Sequence, residues 1–473
     1  MRDYVFFYLN GKPCEIRGAR ASLMLSDFLR YEAGLTGTKV VCAEGDCGAC
    51  SVLRRSPWSG DRAFEPINAC ITTLAQMDGS SLVTVEALAP AGELTPVQSA
   101  MVTCHGSQCG FCTPGFVMAL TGLVEKKLTT RKKTIDKKEA KNALTGNLCR
   151  CTGYRPILDA ATALSVGRCA PLTEKYFTVA MQKRLRAEVK RPLRIETDEF
   201  TFFAPTRAIE VARHLAKNRR ARIVGAGTDL GVLVNKRKLR YEHLVSLHLI
   251  PELYVLKKKE KRLRIGGRVT LAEFRRATEK EIPELARFLD LFASPQIKNV
   301  ATLVGNLVNA SPIADTPPFL LVAGTVVTIL GKSGKREVPI EKFFLGYRKT
   351  ALKPGEWVSE VEIDIPAVNE SLRLRKISQR KDLDISCVNL AARYSPDRRE
   401  MRLALGGVAA TPVRLPKTEK FLKGKAITRE LFAPALALMQ SEISPLSDLR
   451  GSAAFRRVLA ENLLEDCLAE VAT

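Results

Sequence analysis

Eight of the chain's 13 cysteines fall into two quartets whose spacing suits metal ligation. The first is Cys42, Cys47, Cys50 and Cys70, with intervals of four, two and nineteen residues. C-x4-C-x2-C followed by a distant cysteine is the spacing by which one loop and one outlying thiolate enclose a [2Fe–2S] cluster. Three thiolates from one short loop must surround a group whose sulfides also accept hydrogen bonds, so the backbone has to bend tightly and turn N–H groups inward. Gly45, Gly48 and Ala49 supply small residues along that path, where a larger side chain would obstruct the turn. The second quartet is Cys109, Cys112, Cys149 and Cys151, with intervals of two, 36 and one residue. Here a tetrahedral structural zinc competes, because C-x2-C is a common zinc knuckle; C-x-C as the second pair is less usual for that metal. Cys14, Cys104, Cys169, Cys387 and Cys467 stand outside both sets and read as small buried residues.

These thiolates need elements to hold them. The opening run, Tyr4 to Asn10, alternates as a strand does. Cys109 and Cys112 lead straight into a helical pattern, Val117 to Leu123, with Pro114 near its start. The return through Cys149 and Cys151 reads as helix, tight turn and a further helix over 157–165. Two helical hairpins would then present thiolates at their facing ends. Between the halves of this quartet, residues 126–141 carry eight basic and two acidic residues, a solvated face by default and a docking face as the sharper reading. Residues 183–194 are basic and contain a proline, which suits an exposed linker. Beyond them come an amphipathic helix, about Ala208 to Lys217, and a strand, Ala221 to Val224, that runs into Gly225-Ala-Gly227-Thr-Asp-Leu-Gly231. Strand followed by Gly-x-Gly suits phosphate cradled by backbone N–H groups. It is not the dinucleotide fingerprint, because the third glycine comes one residue late. A second glycine loop, Phe292 to Asn306, leads into Ala310 to Asp315; its small hydroxyl and amide groups could meet phosphate oxygens, and Asp315 could accept from a sugar.

Composition narrows the class. The 473 residues allow about three or four domains at roughly 100–200 residues each. Hydrophobic residues are 46% and charged residues 26%, globular proportions that exclude disordered, collagen-like and coiled-coil chains. No apolar run approaches the roughly 18 residues of a spanning helix, and the N-terminus reads as a strand instead of a signal peptide. The expectation is a cytoplasmic protein with no membrane partner, in which 13 cysteines serve metal or redox work and not disulfides. A net charge of +24 invites a nucleic-acid reading. Against it stand an aromatic content of 6%, no interleaving of basic with aromatic residues and no recognition module.

Cys42-Ala-Glu-Gly-Asp-Cys-Gly-Ala-Cys-Ser-Val52, Gly106-Ser-Gln-Cys-Gly-Phe-Cys-Thr-Pro-Gly-Phe116 and Gly146-Asn-Leu-Cys-Arg-Cys-Thr-Gly-Tyr-Arg-Pro156 resemble, in that order, the iron–sulfur part of the xanthine oxidase family of molybdenum hydroxylases. The two glycine loops, Phe343 to Thr350 and Lys376 to Ser386 resemble the family's FAD-binding part. The resemblance implies two [2Fe–2S] clusters in place of zinc, and a multidomain α+β chain. Its parts would be a β-grasp ferredoxin-like domain (1–88), a four-helix [2Fe–2S] domain (89–168), a linker (169–195), an α+β FAD-binding domain of the vanillyl-alcohol-oxidase/PCMH type (196–370) and a small α+β C-terminal flavoprotein domain (371–473). Carried over by position, it puts Ile223, Val224, Gly225, Ala226, Gly227, Thr228, Asp229 and Leu230 around the FAD pyrophosphate. Phe292 would lie near the flavin ring, Thr302 and Asn306 at the phosphates and Asp315 on the ribose or adenine side. Val358 and Lys376 would complete the pocket, with Tyr347 near the nicotinamide entrance. Val41 and Val304 stand where the family usually has glycine.

What the family does sets the functional expectation. The complete enzyme hydroxylates an aromatic heterocycle or an aldehyde at a molybdenum–pterin site, and electrons leave through the two clusters to FAD. The resemblance therefore implies an electron-transfer small subunit whose separate, larger molybdopterin subunit acts on xanthine or hypoxanthine, in a heterotetramer of two small and two large chains. NAD+ would be the final acceptor, although Leu383 occupies a position that is often acidic, and Gln108 would meet the pterin across the subunit boundary. The same role beside a partner that acts on an aldehyde or another N-heterocycle is the alternative; a basic, nucleic-acid-binding zinc protein is the remote one.

Overall fold

The computed structural model describes residues 1–59, 63–89, 92–130 and 132–472; Arg131 of the basic stretch lies outside the described residues. Aromatic and β-branched residues form β1 (Tyr4–Leu9), which hairpins into β2 (Lys12–Arg17). The two turn residues, Asn10 and Gly11, have φ of 51° and 85°, the left-handed pair that a tight two-residue hairpin requires. β3 (Ser51–Arg55), β4 (Glu65–Asn68) and β5 (Ser81–Val83) complete a sheet of order β2-β1-β5-β3-β4, in which the β1–β5 pair alone is parallel. This is the expected β-grasp sheet.

Four helices follow, Pro96–Thr103, Thr113–Thr129, Lys137–Leu144 and Arg155–Ala163. Their starts are written in the sequence. Thr95 and Asp136 form capping boxes with Gln98 and Glu139, and Pro96, Pro114 and Pro156 sit in first turns, where a missing N–H costs nothing. Thr113–Thr129 is buried along most of its length from Gly115 to Lys127, and Phe116, Leu120 and Met118 pack with Phe6, Leu53 and Phe64 in a shared core.

The expected linker is not loose. Val179–Glu188 is a helix whose Leu185 and Glu188 are buried, and Val189 and Leu193 join the core of the first sheet. The charge run concealed this because its basic residues occupy the outer face, while buried acceptors hold the inner one. Arg2, itself fully buried, donates to both oxygens of Asp78 at 2.7 Å and approaches Glu188 at 3.7 Å. His248 reaches Asp78 through Nε2 at 3.1 Å and Ser246 through Nδ1 at 2.8 Å. Ser246, His248 and Asp78 thus have the connectivity of a nucleophile relay. All three are buried and Arg2 already takes the carboxylate, so the set is structural.

Two units divide the chain, neither continuous in sequence: Met1–Val211 with Arg220–Pro251 and Ser294–Ala301, and Ala212–Arg219 with Glu252–Ala293 and Thr302–Thr473. The first also holds β6 (Leu193–Glu196), β7 (Thr201–Ala204), β8 (Arg222–Val224) and β9 (His243–Ser246), in the order β6-β7-β9-β8. The second has a five-stranded antiparallel sheet, β10 (Leu256–Lys259), β11 (Arg262–Gly266), β12 (Val326–Gly331), β13 (Gly334–Pro339) and, central between β11 and β12, β16 (Trp357–Asp364). The small hairpin β14 (Phe344–Gly346) and β15 (Lys349–Thr350) precedes β16. A meander, β17 (Ser371–Ile377), β18 (Val388–Ser395), β19 (Glu400–Gly406) and β20 (Val413–Arg414), packs its apolar face with the helices Pro416–Leu422, Phe432–Glu442 and Ala453–Ala469. Among the described residues no helix is long and apolar enough to cross a membrane.

Candidate functional site

The first quartet hangs on a loop that turns left-handed three times: Ala43, Gly45 and Gly48 have φ of 54°, 84° and 66°. The backbone curls round the thiols and points donors at them. The Glu44 N–H faces Cys42 Sγ at 3.5 Å, and Asn68 Nδ2 faces Cys50 Sγ at 3.8 Å. Cys47, Cys50 and Cys70 are buried and Cys42 half-buried. Hydrogen bonds from Cys47 and Cys70 hold the Cys42 thiol far below the ordinary thiol range, and the same bonds push Cys47 and Cys70 up. Cys50, bonded to Cys70, is also held low.

The second quartet pairs across its two hairpins. Cys109 and Cys151 are exposed, with sulfurs 3.5 Å apart, and Cys112 is bonded to Cys149. Burial raises the Cys149 thiol, but Thr152 offsets this by donating from N–H at 3.4 Å and Oγ1 at 3.2 Å, and the balance lies below the ordinary value. Tyr154, at φ 68°, turns its hydroxyl back to accept from the Cys149 N–H at 3.0 Å. In this quartet the contacts between sulfurs run two by two, whereas in the first they form a chain through Cys47, Cys42, Cys70 and Cys50. Among the described residues no three ligand-type side chains are set around a single ion. A binuclear cluster takes two thiolates on each iron, so the donors fit it better than they fit one tetrahedral zinc. Of the cysteines expected to be buried elsewhere, Cys387 and Cys467 are, whereas Cys14, Cys104 and Cys169 are half-buried.

The two quartets meet backbone to backbone. Leu148 N–H donates to the Cys47 carbonyl at 3.0 Å, and Asn147 Nδ2 donates to the Gly48 carbonyl at 3.1 Å.

The first phosphate-type loop lies in the same unit. β8 ends at Val224, so Ile223 and Val224 are its last residues, and Gly225 to Asp229 lead into the helix Leu230–Arg237. Gly227 has φ 75°, and a Cβ there would lie 2.5 Å from Gln76 Nε2, which donates to the Ala226 carbonyl at 2.6 Å. A Cβ on Gly231 would lie 2.2 Å from the Ile71 carbonyl oxygen. Asp229 makes no side-chain cap, and in the first turn the Gly231 N–H is taken by the Gly227 carbonyl at 2.7 Å. Further along this helix, Asn235 Nδ2 donates to the carbonyls of Ala43 at 2.9 Å and Cys70 at 2.7 Å.

The remaining expected flavin residues belong to the second unit. Thr302 caps the helix Leu303–Val308 by accepting from the Gly305 N–H at 3.0 Å, and Asn306 Oδ1 accepts from the Thr316 hydroxyl at 2.6 Å. Asp315 is not a free acceptor. Its Oδ2 takes Lys376 Nζ at 2.7 Å, and its Oδ1 takes Ser386 at 2.5 Å and Asn389 at 3.2 Å. Val358 is buried on β16, Phe292 is half-buried and Tyr347 is exposed in the β14–β15 turn. Sequence reasoning assigned no role to Gln76, Asn147, Asn235 or Gln296. Each pairs with residues more than 90 positions away, and no local pattern marks such a contact.

Comparisons with known proteins divide the chain along its sequence into four matches. Residues 7–75 match the 2Fe-2S iron-sulfur cluster binding domain family, 84–162 the [2Fe-2S] binding domain, 198–367 the FAD binding domain in molybdopterin dehydrogenase and 373–471 the CO dehydrogenase flavoprotein C-terminal domain. The xanthine dehydrogenase/oxidase of Gallus gallus is 29% identical over 97% of this chain and 39% of its own length. Aldehyde oxidase 1 of Bos taurus is 29% identical, again over 97% and 39%. The chain thus spans about two fifths of the length of these curated relatives. Among solved structures, a chain of quinoline 2-oxidoreductase from Pseudomonas putida 86 superposes with a TM-score of 0.53 at 29% identity, covering 59% of this chain and 98% of that one.

Proposed function

The chain belongs to the xanthine oxidase family of molybdenum hydroxylases, whose two [2Fe–2S] domains and FAD domain it carries, and on that footing we propose that it is the electron-transfer subunit of a xanthine dehydrogenase. Electrons from xanthine or hypoxanthine, oxidised on a separate molybdopterin subunit, would cross both clusters to FAD and reach NAD+. The observation that carries this reading is the backbone bond between Leu148 and Cys47, which joins the two thiolate sets through a single hydrogen bond. When bound, the clusters supply one-electron relay and the flavin supplies the exchange between single electrons and electron pairs.

This chain's residues would do the holding. Cys42, Cys47, Cys50 and Cys70 ligate the first cluster, and Cys109, Cys112, Cys149 and Cys151 the second. Thr152 and the Glu44 N–H, placed on sulfur, would tune potential. Residues 223–230 bind the pyrophosphate, and Thr302 and Asn306 hold further phosphate oxygens. Lys376 presents its charge from a fixed seat on Asp315, and Phe292, Val358 and Tyr347 shape the ring side. The exposed Cys109 and Cys151 lie open to the partner subunit, with Gln108 beside them. Two small and two large subunits, in the cytoplasm, complete the proposal.

The test is iron, acid-labile sulfide and flavin content of the anaerobically purified chain, with EPR after dithionite reduction. Four irons, four sulfides, one FAD and two distinct reduced signals support the reading; zinc without sulfide or flavin overturns it. A second substrate reading has its own observation: aldehyde oxidase 1 matches at the same 29% identity as the xanthine enzyme. Assay of the co-purified complex with xanthine and with an aromatic aldehyde decides between them, and reoxidation by NAD+ against O2 decides the acceptor.

A further inference from the structure

Ser294–Ala301 falls within the flavin-domain match, yet it belongs to the unit that holds all eight quartet cysteines. Ser294 caps a single turn, Pro295–Lys298, by accepting from the Ile297 N–H at 3.2 Å. The turn is pinned from both sides. Asn299 Nδ2 donates to the Pro66 carbonyl on β4 at 2.9 Å, and Ile297 lies beside Gly45 of the first thiolate loop, where a Cβ would come within 3.1 Å of it. Gln296 stands between these anchors and is fully buried.

Its Nε2 donates to Asn147 Oδ1 at 2.8 Å and to Ser51 Oγ at 3.1 Å. Both partners converge on one atom, the Gly48 carbonyl oxygen, which takes Asn147 Nδ2 at 3.1 Å and Ser51 Oγ at 2.7 Å. The direction of every bond is forced. A carbonyl can only accept, so Asn147 must turn its NH2 to Gly48 and its oxygen to Gln296, and Gln296 must answer with its NH2. Among the described residues Gln296 Oε1 has no hydrogen-bond partner; it lies against Gly146, where a Cβ would sit 2.1 Å from it.

We propose that Gln296 is a positioning residue for electron passage: from the flavin segment it sets the register between Cys47-Gly48 and Asn147-Leu148-Cys149, and so holds the Leu148-to-Cys47 bond between the two clusters. The proposal rests on the cluster assignment above and adds to it that the flavin segment governs coupling between clusters. Gln296 touches no thiol and needs no part in ligation.

The test uses the full-length, cluster-loaded chain with Gln296→Met, which keeps volume and removes both donations, and Ser51→Ala, which removes one. Wild-type chain showing four irons and two EPR signals establishes the footing first, so its failure is distinguishable from failure here. Gln296→Met is expected to retain iron and sulfide. The magnetic splitting between the two reduced clusters at low temperature should shrink, and amide exchange at Leu148 should quicken about tenfold, the weight of one buried hydrogen bond. Exchange in the helix Pro96–Thr103 should stay unchanged. Ser51→Ala should shift both readouts the same way by less, and adding Asn147→Leu to Gln296→Met should change little more, since both act through Gly48. Wild-type splitting and wild-type Leu148 exchange in both Gln296→Met and Ser51→Ala would overturn the proposal. If Gln296→Met alone fails to load clusters, Ser51→Ala decides on the same readouts.

Discussion

A Cβ on Gly48 would stand 2.3 Å from the carbonyl oxygen of Gly146. The loop of the first thiolate set and the approach to the second therefore touch main chain to main chain, with no room for a side chain. Gly48 also has φ 66°, so both its conformation and its surroundings exclude L-residues.

Gly48→Ala should accordingly separate the loops. Conformational strain of about 1–2 kcal/mol adds to a clash that backbone cannot relieve. We expect loss of one reduced EPR signal, or of both, and at least halved iron content, with the far-UV circular dichroism of the helices retained. Full iron content with unshifted spectra would show that the contact is dispensable.

Cys151→Ser should abolish one EPR signal and leave the other, because Cys151 pairs with Cys109 and touches no member of the first quartet's contacts. The signal that disappears is then assigned to the second cluster. Retention of both signals with four irons would remove Cys151 from the ligand set.

Acid should weaken the first unit through Asp78. Burial pushes this carboxyl up, but Arg2 and His248 pull harder and hold it at about 2, below its ordinary 3.8. A depressed carboxyl stabilises fully above its unfolded value and loses that contribution as pH falls through the folded one, here about 2.5 kcal/mol lost between about pH 5 and pH 2. Asp78→Asn should flatten that part of the pH–stability curve. At pH 7 it should cost about 3–5 kcal/mol, since buried Arg2 loses its bidentate partner and is left with the longer approach to Glu188 at 3.7 Å. Denaturant unfolding of wild type and variant across this range checks both signs.

Lys376→Met should lower bound flavin. It also strips Asp315 of its cation, so a fall in Tm alone would be ambiguous. The double change Lys376→Met with Asp315→Asn removes the buried charge as well. Tm should recover while flavin stays low, measured as the flavin-to-protein absorbance ratio. Full flavin in the double variant would confine Lys376 to an ion pair.

What could be read from residues in order was the local part. The spacing of Cys42, Cys47 and Cys50, the Thr95 and Asp136 capping boxes and the Asn10-Gly11 turn all act within a few residues. In the 169–195 stretch charge density hides a helix, Val179–Glu188, whose Leu185 faces a core, as does Val189 just after it. Asp315 looked like an acceptor awaiting a sugar, because nothing near it in sequence announces Lys376, 61 residues on. Gln296 and Asn235 were silent for the same reason: polar side chains that serve distant carbonyls obey no period.

The division of the chain has a practical meaning for modularity. Arg220–Pro251 and Ser294–Ala301 fold with the iron–sulfur domains, supplying the Asn235 amide to Ala43 and Cys70 and the Asn299 amide to Pro66. A fragment that stops where the composition changes near residue 195 would leave those carbonyls to water and bare the apolar face around Ile71. The compact unit that holds both quartets is thus discontinuous in sequence. It cannot be cut out as one stretch of gene, and any rearrangement that separates the two halves must re-create by docking what the covalent chain now provides by default.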